Sequence, residues 1–145
     1  MNSFRRALLG ALALALLRPW AALAAWNKEA FGAKTPGEAL KGLGASNPIP
    51  SSELVIDAPE IAENGAVVPV EITSNIRGTA SIAVICDKNP FPLVGKFDFM
   101  QGAQPFLKLN IKMGETSEVR AIAQAGGKSY VATKEIKVTI GGCGG

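Results

Sequence analysis

A cysteine flanked by glycines near the end of the sequence is the residue best suited to chemistry. Cys143 lies between Gly141-Gly142 and Gly144-Gly145, so its thiol is the only side chain in this stretch. Glycine lacks a Cβ and permits conformations and close approaches that other residues obstruct. Fully extended, such a stretch spans about 17 Å, at roughly 3.3–3.6 Å per residue. The composition predicts a thiol presented on a thin, flexible arm that can enter a narrow channel in another protein.

Nothing in the sequence predicts internal activation of the Cys143 thiol. The chain contains no histidine, which excludes Cys–His and Ser–His–Asp nucleophiles and any zinc site that needs imidazole. No cation flanks the cysteine, and only roughly 3% of a thiol with a pKa of about 8.5 is ionised at pH 7. We therefore expect no catalytic residue, cofactor or metal site. Activation would come from a partner's pocket, as for a covalent carrier and unlike an enzyme.

Cys86 is the second thiol. It follows Ile82 and Val84 at the same parity in an apolar run, so we expect a buried cysteine that behaves as a small hydrophobe. The two cysteines form no C-x-x-C motif and are too few for a metal cluster. A Cys86–Cys143 disulfide is an alternative, as are an intermolecular disulfide at Cys143 and a disordered end with an incidental cysteine.

Two other groups of residues have structural explanations. Gly126-Gly127-Lys128-Ser129 ends like a phosphate loop, but that motif needs glycine where Ile122 stands, so the glycines predict a hairpin turn instead. Asp57, Glu60 and Glu63 lie beside turns. We interpret them as solvated loop carboxylates and not as a catalytic acid pair.

Residues 1–24 have the pattern of a cleaved export signal. Arg5-Arg6 precede an apolar run from Ala7 to Leu17, which is too short for a membrane span of ~20 residues, and Ala22-Leu23-Ala24 is a small-x-small cleavage site. The arginine pair resembles a twin-arginine signal, although a Sec signal also begins with basic residues. Both routes lead to the bacterial periplasm, where thiols meet an oxidising environment.

Cleavage changes the charge of the chain. The export signal takes Arg5, Arg6 and Arg18 with it, which leaves 12 basic residues against 12 acidic ones. A formally neutral mature chain, beginning near Ala25 and lacking a membrane span, gives no indication of a nucleic-acid partner. Its length predicts one domain.

The mature chain changes its hydrophobic period near residue 51. Residues 25–50 predict a helical prelude and a linker, with a capping box at Thr35-Pro36-Gly37-Glu38. Residues 51–140 alternate apolar and polar side chains and predict seven short strands separated by turns such as Asn64-Gly65, without a long helix between them. Pro69 places its strand at an edge or beside a bulge. The predicted fold is an all-β antiparallel sandwich that carries the arm, residues 141–145. The predicted strands are Leu54–Ala58, Ala66–Ser74, Thr79–Cys86, Lys96–Met100, Leu107–Met113, Glu118–Ala125 and about Tyr130–Ile140.

The sequence resembles the SoxY family, the sulfur carriers of the periplasmic thiosulfate-oxidising system. The resemblance rests on the terminal Gly-Gly-Cys-Gly-Gly, on the block Ala58–Val70, on the Asn89–Pro92 turn and on residues 111–117. It covers nearly the whole mature chain. Cys86 departs from the usual single-cysteine pattern of the family.

The resemblance implies an immunoglobulin-like sandwich and a covalent carrier whose Cys143 holds sulfur intermediates. It also implies a SoxZ-like β-sandwich partner in a heterodimer. A c-type cytochrome (SoxAX-like) would couple thiosulfate to the thiol, a hydrolase (SoxB-like) would release sulfate, and in some organisms a dehydrogenase (SoxCD-like) would oxidise the remaining sulfur.

A binding or assembly module is the alternative function. Under that hypothesis Cys143 makes only an intermolecular disulfide, and the sheet edge near Pro69 pairs with a partner.

Overall fold

Two short helices precede nine strands in the part of the chain that the structure, a computed structural model, describes. That part is residues 27–139; the predicted export signal and residues 140–145 lie outside it. The helices are α1 (Lys28–Gly32) and α2 (Pro36–Gly42). The strands are β1 (Ile49–Pro50), β2 (Leu54–Asp57), β3 (Ile61–Ala62), β4 (Val68–Ser74), β5 (Thr79–Cys86), β6 (Leu93–Asp98), β7 (Phe106–Ile111), β8 (Ser117–Ala125) and β9 (Lys128–Val138).

The strands form two sheets. The larger has the order β1-β9-β8-β5-β6, with β3 also paired to β9, and the smaller has the order β2-β4-β7. The seven longer strands pair with one another only in antiparallel fashion. This division of the strands is that of an immunoglobulin-like sandwich, so the all-β fold expected from the sequence is confirmed.

The main core lies between the two sheets and follows from the alternation of apolar side chains. Val68, Val70 and Ile72 on β4 are fully buried, and Val119, Ala121 and Ala123 on β8 meet them from the larger sheet. Because successive strand residues point to opposite faces, each strand contributes every second side chain to this core.

The helices cover the outer face of the larger sheet and create a second core. Leu40 and Leu43 pack with Ala83 and Ile122 in one buried cluster. The predicted capping box starts α2: Thr35 Oγ1 accepts from the Glu38 amide at 3.2 Å, and Glu38 Oε2 accepts from the Thr35 amide at 3.3 Å. No helix among residues 27–139 is long and apolar enough to cross a membrane.

The glycine pair between β8 and β9 is a two-residue hairpin turn. Ala125 pairs with Lys128, and the φ angles of Gly126 and Gly127 are 55° and 74°. Positive φ at both central positions is what a type I′ turn requires, and glycine adopts it without a steric penalty. The hairpin interpretation is therefore confirmed and a phosphate loop is excluded.

The two shortest strands and the start of β6 differ from the sequence-based prediction. β1 and β3 have two residues each, too few to show a period, and both run parallel to β9. The predicted strand Lys96–Met100 is observed at Leu93–Asp98. Val84 pairs with Gly95 and Ile85 pairs with Leu93, so Val94 is an extra residue in β6. This irregularity breaks the alternation of side chains at the start of the strand.

Pro69 lies on β4, the middle strand of the smaller sheet. On one side it pairs with Asn110 of β7, but the β2 ladder ends at the pair Asp57–Glu71. Pro69 thus stands where one side of β4 is no longer paired to β2. The prediction that Pro69 places its strand at an edge or beside a bulge is wrong for the strand, because β4 lies between β2 and β7. Pro69 is tolerated there because it lies beyond the β2 ladder, where no amide proton has to be donated to β2.

Candidate functional site

The predicted carrier cysteine lies five residues after Val138, the last residue of β9. Cys143 and its glycines, Gly141, Gly142, Gly144 and Gly145, lie outside the described residues, so their roles stay predictions. The described chain ends at Thr139, one residue after β9. The structure therefore defines how the attachment point of the predicted arm is built.

Backbone hydrogen bonds hold one side of the end of β9 against β3 and its flanks. The Lys137 amide donates to the Glu60 carbonyl at 2.9 Å, and the Thr139 amide donates to the Ala62 carbonyl at 3.1 Å. Ile61 and Ala62 pair in parallel register with Lys137 and Val138. The segment Ala58–Val70, on which the family resemblance partly rests, thus contributes directly to the attachment point.

The other side of β9 is held by a side chain. The Val138 amide donates to Thr116 Oγ1 at 3.0 Å. On the side of β3, the Thr139 hydroxyl adds a long bond, 3.5 Å, to the Glu63 carbonyl. Amides on alternate sides of the strand are therefore both paired. Because each satisfied amide resists fraying of a strand end, the chain is fixed up to Thr139.

Gly65 connects the loop after β3 to both neighbouring segments. Its carbonyl accepts from the Met113 amide at 2.7 Å. A Cβ placed on Gly65 would lie 2.3 Å from the Met113 carbonyl oxygen and 2.9 Å from Val138 Cγ1. Only glycine permits this approach. The contact therefore requires glycine at position 65, in addition to the turn that the sequence predicts at Asn64-Gly65.

The exposed surface around Thr139 carries charge but no assembled catalytic group. Glu60, Glu63 and Glu115 are exposed there, together with Lys137. Asp57, which lies close to Glu60 and Glu63 in sequence, is instead on the outer face of the smaller sheet, opposite Glu71. Among residues 27–139, no three His, Cys, Asp or Glu side chains are placed to hold a metal ion.

Cys86 is buried at the end of β5 in the main core. Its side chain has no exposed surface, and its Sγ lies 3.6 Å from Ser117 Oγ. Burial raises the pKa of the Cys86 thiol, and the hydrogen bond that joins Cys86 Sγ and Ser117 Oγ only partly opposes this. Cys86 is a free thiol. A neutral, enclosed thiol is a poor nucleophile, so the predicted role as a buried small hydrophobe is consistent with this site.

Two features near Cys86 were not predicted from the sequence. Ser117 Oγ is itself bound by the Lys88 amide at 3.0 Å, which orders the turn after β5. Next to it, Arg120 makes a two-pronged ion pair with Asp87 at 2.9 and 2.6 Å. These contacts are 29 and 33 residues apart in sequence, and no local pattern signals such a pair.

An open cleft lies between the two helices, on a different element from the end of β9. Its volume is about 640 Å³, and charged side chains of both signs line it, Lys28, Glu29, Glu38 and Lys41. A ligand pocket is usually enclosed and mostly apolar. Because this cleft is open to solvent and not enclosed, it offers no better candidate site than the end of β9.

Solved structures place the fold among sulfur carriers. The chain is 40% identical to the sulfur carrier protein SoxY from Chlorobium limicola f thiosulfatophilum, with a TM-score of 0.65, covering 71% of this chain and 94% of that one. A chain from a structure that describes T cell activation by the bacterial superantigen toxic shock syndrome toxin-1 is 14% identical. The match covers 59% of this chain and 99% of that one, and its TM-score of 0.43 is too low to support any argument. No curated protein is significantly similar in sequence.

A family profile gives the same result independently. The family described as sulfur oxidation protein SoxY matches residues 40–143, from α2 to the predicted carrier cysteine. The matched range includes all nine strands and the attachment point at Thr139. The chain therefore belongs to the SoxY family of sulfur carrier proteins and has a role in sulfur oxidation.

Proposed function

We propose that the chain carries sulfur covalently on Cys143 during thiosulfate oxidation and presents it in turn to partner enzymes. The observation that carries the proposal is the position of Gly-Gly-Cys-Gly-Gly, which begins two residues after Thr139. The chain before it is hydrogen-bonded on both sides, through the amides of Lys137, Val138 and Thr139. A rigid base with a glycine-rich extension delivers a thiol without moving the domain.

The chemistry follows from a thiol and an external oxidant. The Cys143 thiolate and thiosulfate form one S–S bond and release two electrons, which a c-type cytochrome partner accepts. Hydrolysis of the terminal sulfone with one water then gives sulfate, two protons and a persulfide on Cys143. Disulfide and persulfide forms are ordinary states of a cysteine sulfur.

The carrier itself supplies no catalytic group in this scheme. The sequence has no histidine, and Cys86 is buried with a raised thiol pKa. Each partner enzyme must therefore ionise or protonate the sulfur in its own pocket. This division of labour supports a carrier that is not an enzyme.

Export and assembly complete the proposal. Residues 1–24 would direct the chain to the periplasm, with cleavage before about Ala25. A SoxZ-like β-sandwich subunit would form a heterodimer with it, and twin-arginine export would allow the pair to leave the cytoplasm already folded.

A cysteine substitution tests the proposal. Cys143→Ser should abolish thiosulfate-dependent oxygen uptake in a system reconstituted from the periplasmic partner enzymes, because no other exposed thiol is available to receive sulfur. Cys86→Ala is the matched control and should retain uptake, since Cys86 is fully buried. Both proteins should keep the same partner complex in size-exclusion chromatography.

Full uptake by Cys143→Ser would contradict carriage on this residue. If the unsubstituted protein instead formed a homogeneous disulfide-linked dimer that thiosulfate did not change, the assembly-module function would be the correct one.

A further inference from the structure

We infer that the surface around the end of β9 docks the channel mouth of each enzyme that reacts with Cys143. We call this surface the collar and define it by six exposed residues, Glu60, Ile61, Glu63, Val67, Glu115 and Lys137. The inference rests on the proposed carrier function and adds to it a specific protein contact outside the arm. Its occupant is a partner surface with apolar and basic side chains.

The reach of the arm requires contact at this place. Cys143 is four residues beyond Thr139, and four residues span at most about 14 Å. A partner that encloses the thiol must bring its channel mouth within that distance of Thr139. The residues that surround Thr139 therefore meet the partner first.

Two apolar side chains on the collar face solvent. Ile61 is 57% exposed and Val67 is 53% exposed. Single exposed aliphatic residues are common on protein surfaces and need no explanation alone. Their position does matter here: Ile61 pairs with Lys137 on β9, and Val67 follows the turn that contains Gly65. Ile61 therefore flanks the strand that leads to Cys143, and Val67 lies two residues from Gly65, which approaches Val138 on that strand.

The collar backbone is already ordered before a partner arrives. The Ala66 amide donates to Asn64 Oδ1 at 2.9 Å, and the Val67 amide donates to the Asn64 carbonyl at 3.3 Å. Gly65 packs closely against the Met113 carbonyl, and this contact fixes the turn to the segment after β7. A pre-ordered surface loses little conformational entropy on binding, which favours its use as a docking site.

The charge of the collar indicates the charge of its partner. The three carboxylates of the collar, Glu60, Glu63 and Glu115, outnumber its one cation, Lys137. None of the three forms a salt bridge with any residue in the described range 27–139. A sulfonate on the carried sulfur is an anion, so a channel that admits it should have basic side chains at its mouth. The same basic side chains can meet the carboxylates of the collar. Complementary charge of this kind mainly increases the rate of encounter.

The test separates docking from chemistry by loading the thiol beforehand. Tetrathionate converts the Cys143 thiolate to the thiosulfonate and releases one thiosulfate, which gives a defined carrier-bound substrate. The probe enzyme is the sulfate-releasing hydrolase purified from the periplasm of the same organism. Sulfate release as a function of loaded-carrier concentration gives kcat and KM.

The collar variants are I61S/V67S and E63K/E115K in the full chain. We expect each pair to raise KM for the loaded carrier by about tenfold and to change kcat by less than twofold, because docking is weakened while the arm is intact. Loading by tetrathionate should proceed at the unchanged rate for I61S/V67S and no more slowly for E63K/E115K, because tetrathionate is an anion and the added lysines attract it. The increase for E63K/E115K should shrink as salt is added.

Two variants elsewhere on the domain serve as matched controls. V55S changes a 45% exposed valine on the outer face of the smaller sheet, and E53K reverses an exposed carboxylate before β2. Both should leave KM within twofold of the unsubstituted value. The two collar pairs lie partly on different segments, so a folding defect in one leaves the other as a test.

The outcomes distinguish the inference from the proposed function. If KM of both correctly folded collar pairs stays within twofold, the collar is not a docking surface although carriage on Cys143 still holds. If the hydrolase releases no sulfate from the loaded, unsubstituted protein, the proposed carrier function itself is wrong.

Discussion

At the scale of single residues, the environment of each thiol decides its chemistry. Cys86 lies among buried side chains of the sandwich core, and burial raises the pKa of its thiol. A glycine-rich stretch surrounds Cys143. The same functional group is thus enclosed and neutral at one position and predicted to be accessible at the other, so only Cys143 is expected to react with a partner's substrate.

The raised pKa of Cys86 predicts a pH dependence of stability. In the unfolded chain this thiol ionises above its ordinary pKa of about 8.5, whereas the folded protein holds the proton to higher pH. The contribution of Cys86 is therefore complete below pH 8.5 and is lost above it, with a slope of up to about 1.4 kcal/mol per pH unit. Urea unfolding of Cys143→Ser, compared with Cys86→Ala/Cys143→Ser, measures this slope between pH 7 and 10.

The same single-thiol protein permits a labelling control. Maleimide should modify Cys86 in Cys143→Ser only after the protein unfolds, because the thiol has no exposed surface in the fold. Rapid labelling at pH 7, or unfolding free energies that run parallel for the two proteins across this pH range, would show that Cys86 is not held in a dry site.

At the scale of elements, the loop between β3 and β4 determines how the arm is attached. Gly65 lies against both the Met113 carbonyl and Val138, so this loop, the segment after β7 and the end of β9 are fixed together. Gly65→Ala forces a Cβ to within 2.3 Å of a backbone oxygen. We expect a loss of about 2–3 kcal/mol in the free energy of unfolding, as for overpacked sites.

Gly114→Ala is the control for this element. A Cβ on Gly114 meets nothing within 4 Å, and its φ is not in the left-handed region, so the free energy of unfolding should change by less than about 0.5 kcal/mol. Urea denaturation of both variants measures the difference. Equal stability of the two variants would show that the contact at Gly65 is not tight in solution.

Local patterns predict some of these elements well and others not at all. The capping box at Thr35 and the two-glycine turn at Gly126 are complete within a few residues, so the sequence contains all the information needed. β1 and β3 exist only because β9 extends beside them, and two residues have no period. The Arg120–Asp87 pair joins two strands, and such tertiary contacts have no local signal.

At the scale of the whole molecule, the sandwich is a rigid base for a reactive extension. The family profile extends from α2 to Cys143, so one profile covers both the domain and the cysteine. The predicted site could be identified from residue types alone, since a thiol between glycines needs no fold to be noticed. Its attachment could not, because Ala62 and Thr116 reach the end of β9 only in the folded chain.

The most direct test of carriage is the intact mass of the protein taken from the periplasm of cells grown on thiosulfate. The account predicts a mixture of sulfur-containing adducts on Cys143, removed by reductant, and an unmodified Cys86. A protein whose Cys143 has only the mass of a free thiol or of one fixed disulfide partner, whether or not thiosulfate is supplied, would contradict it.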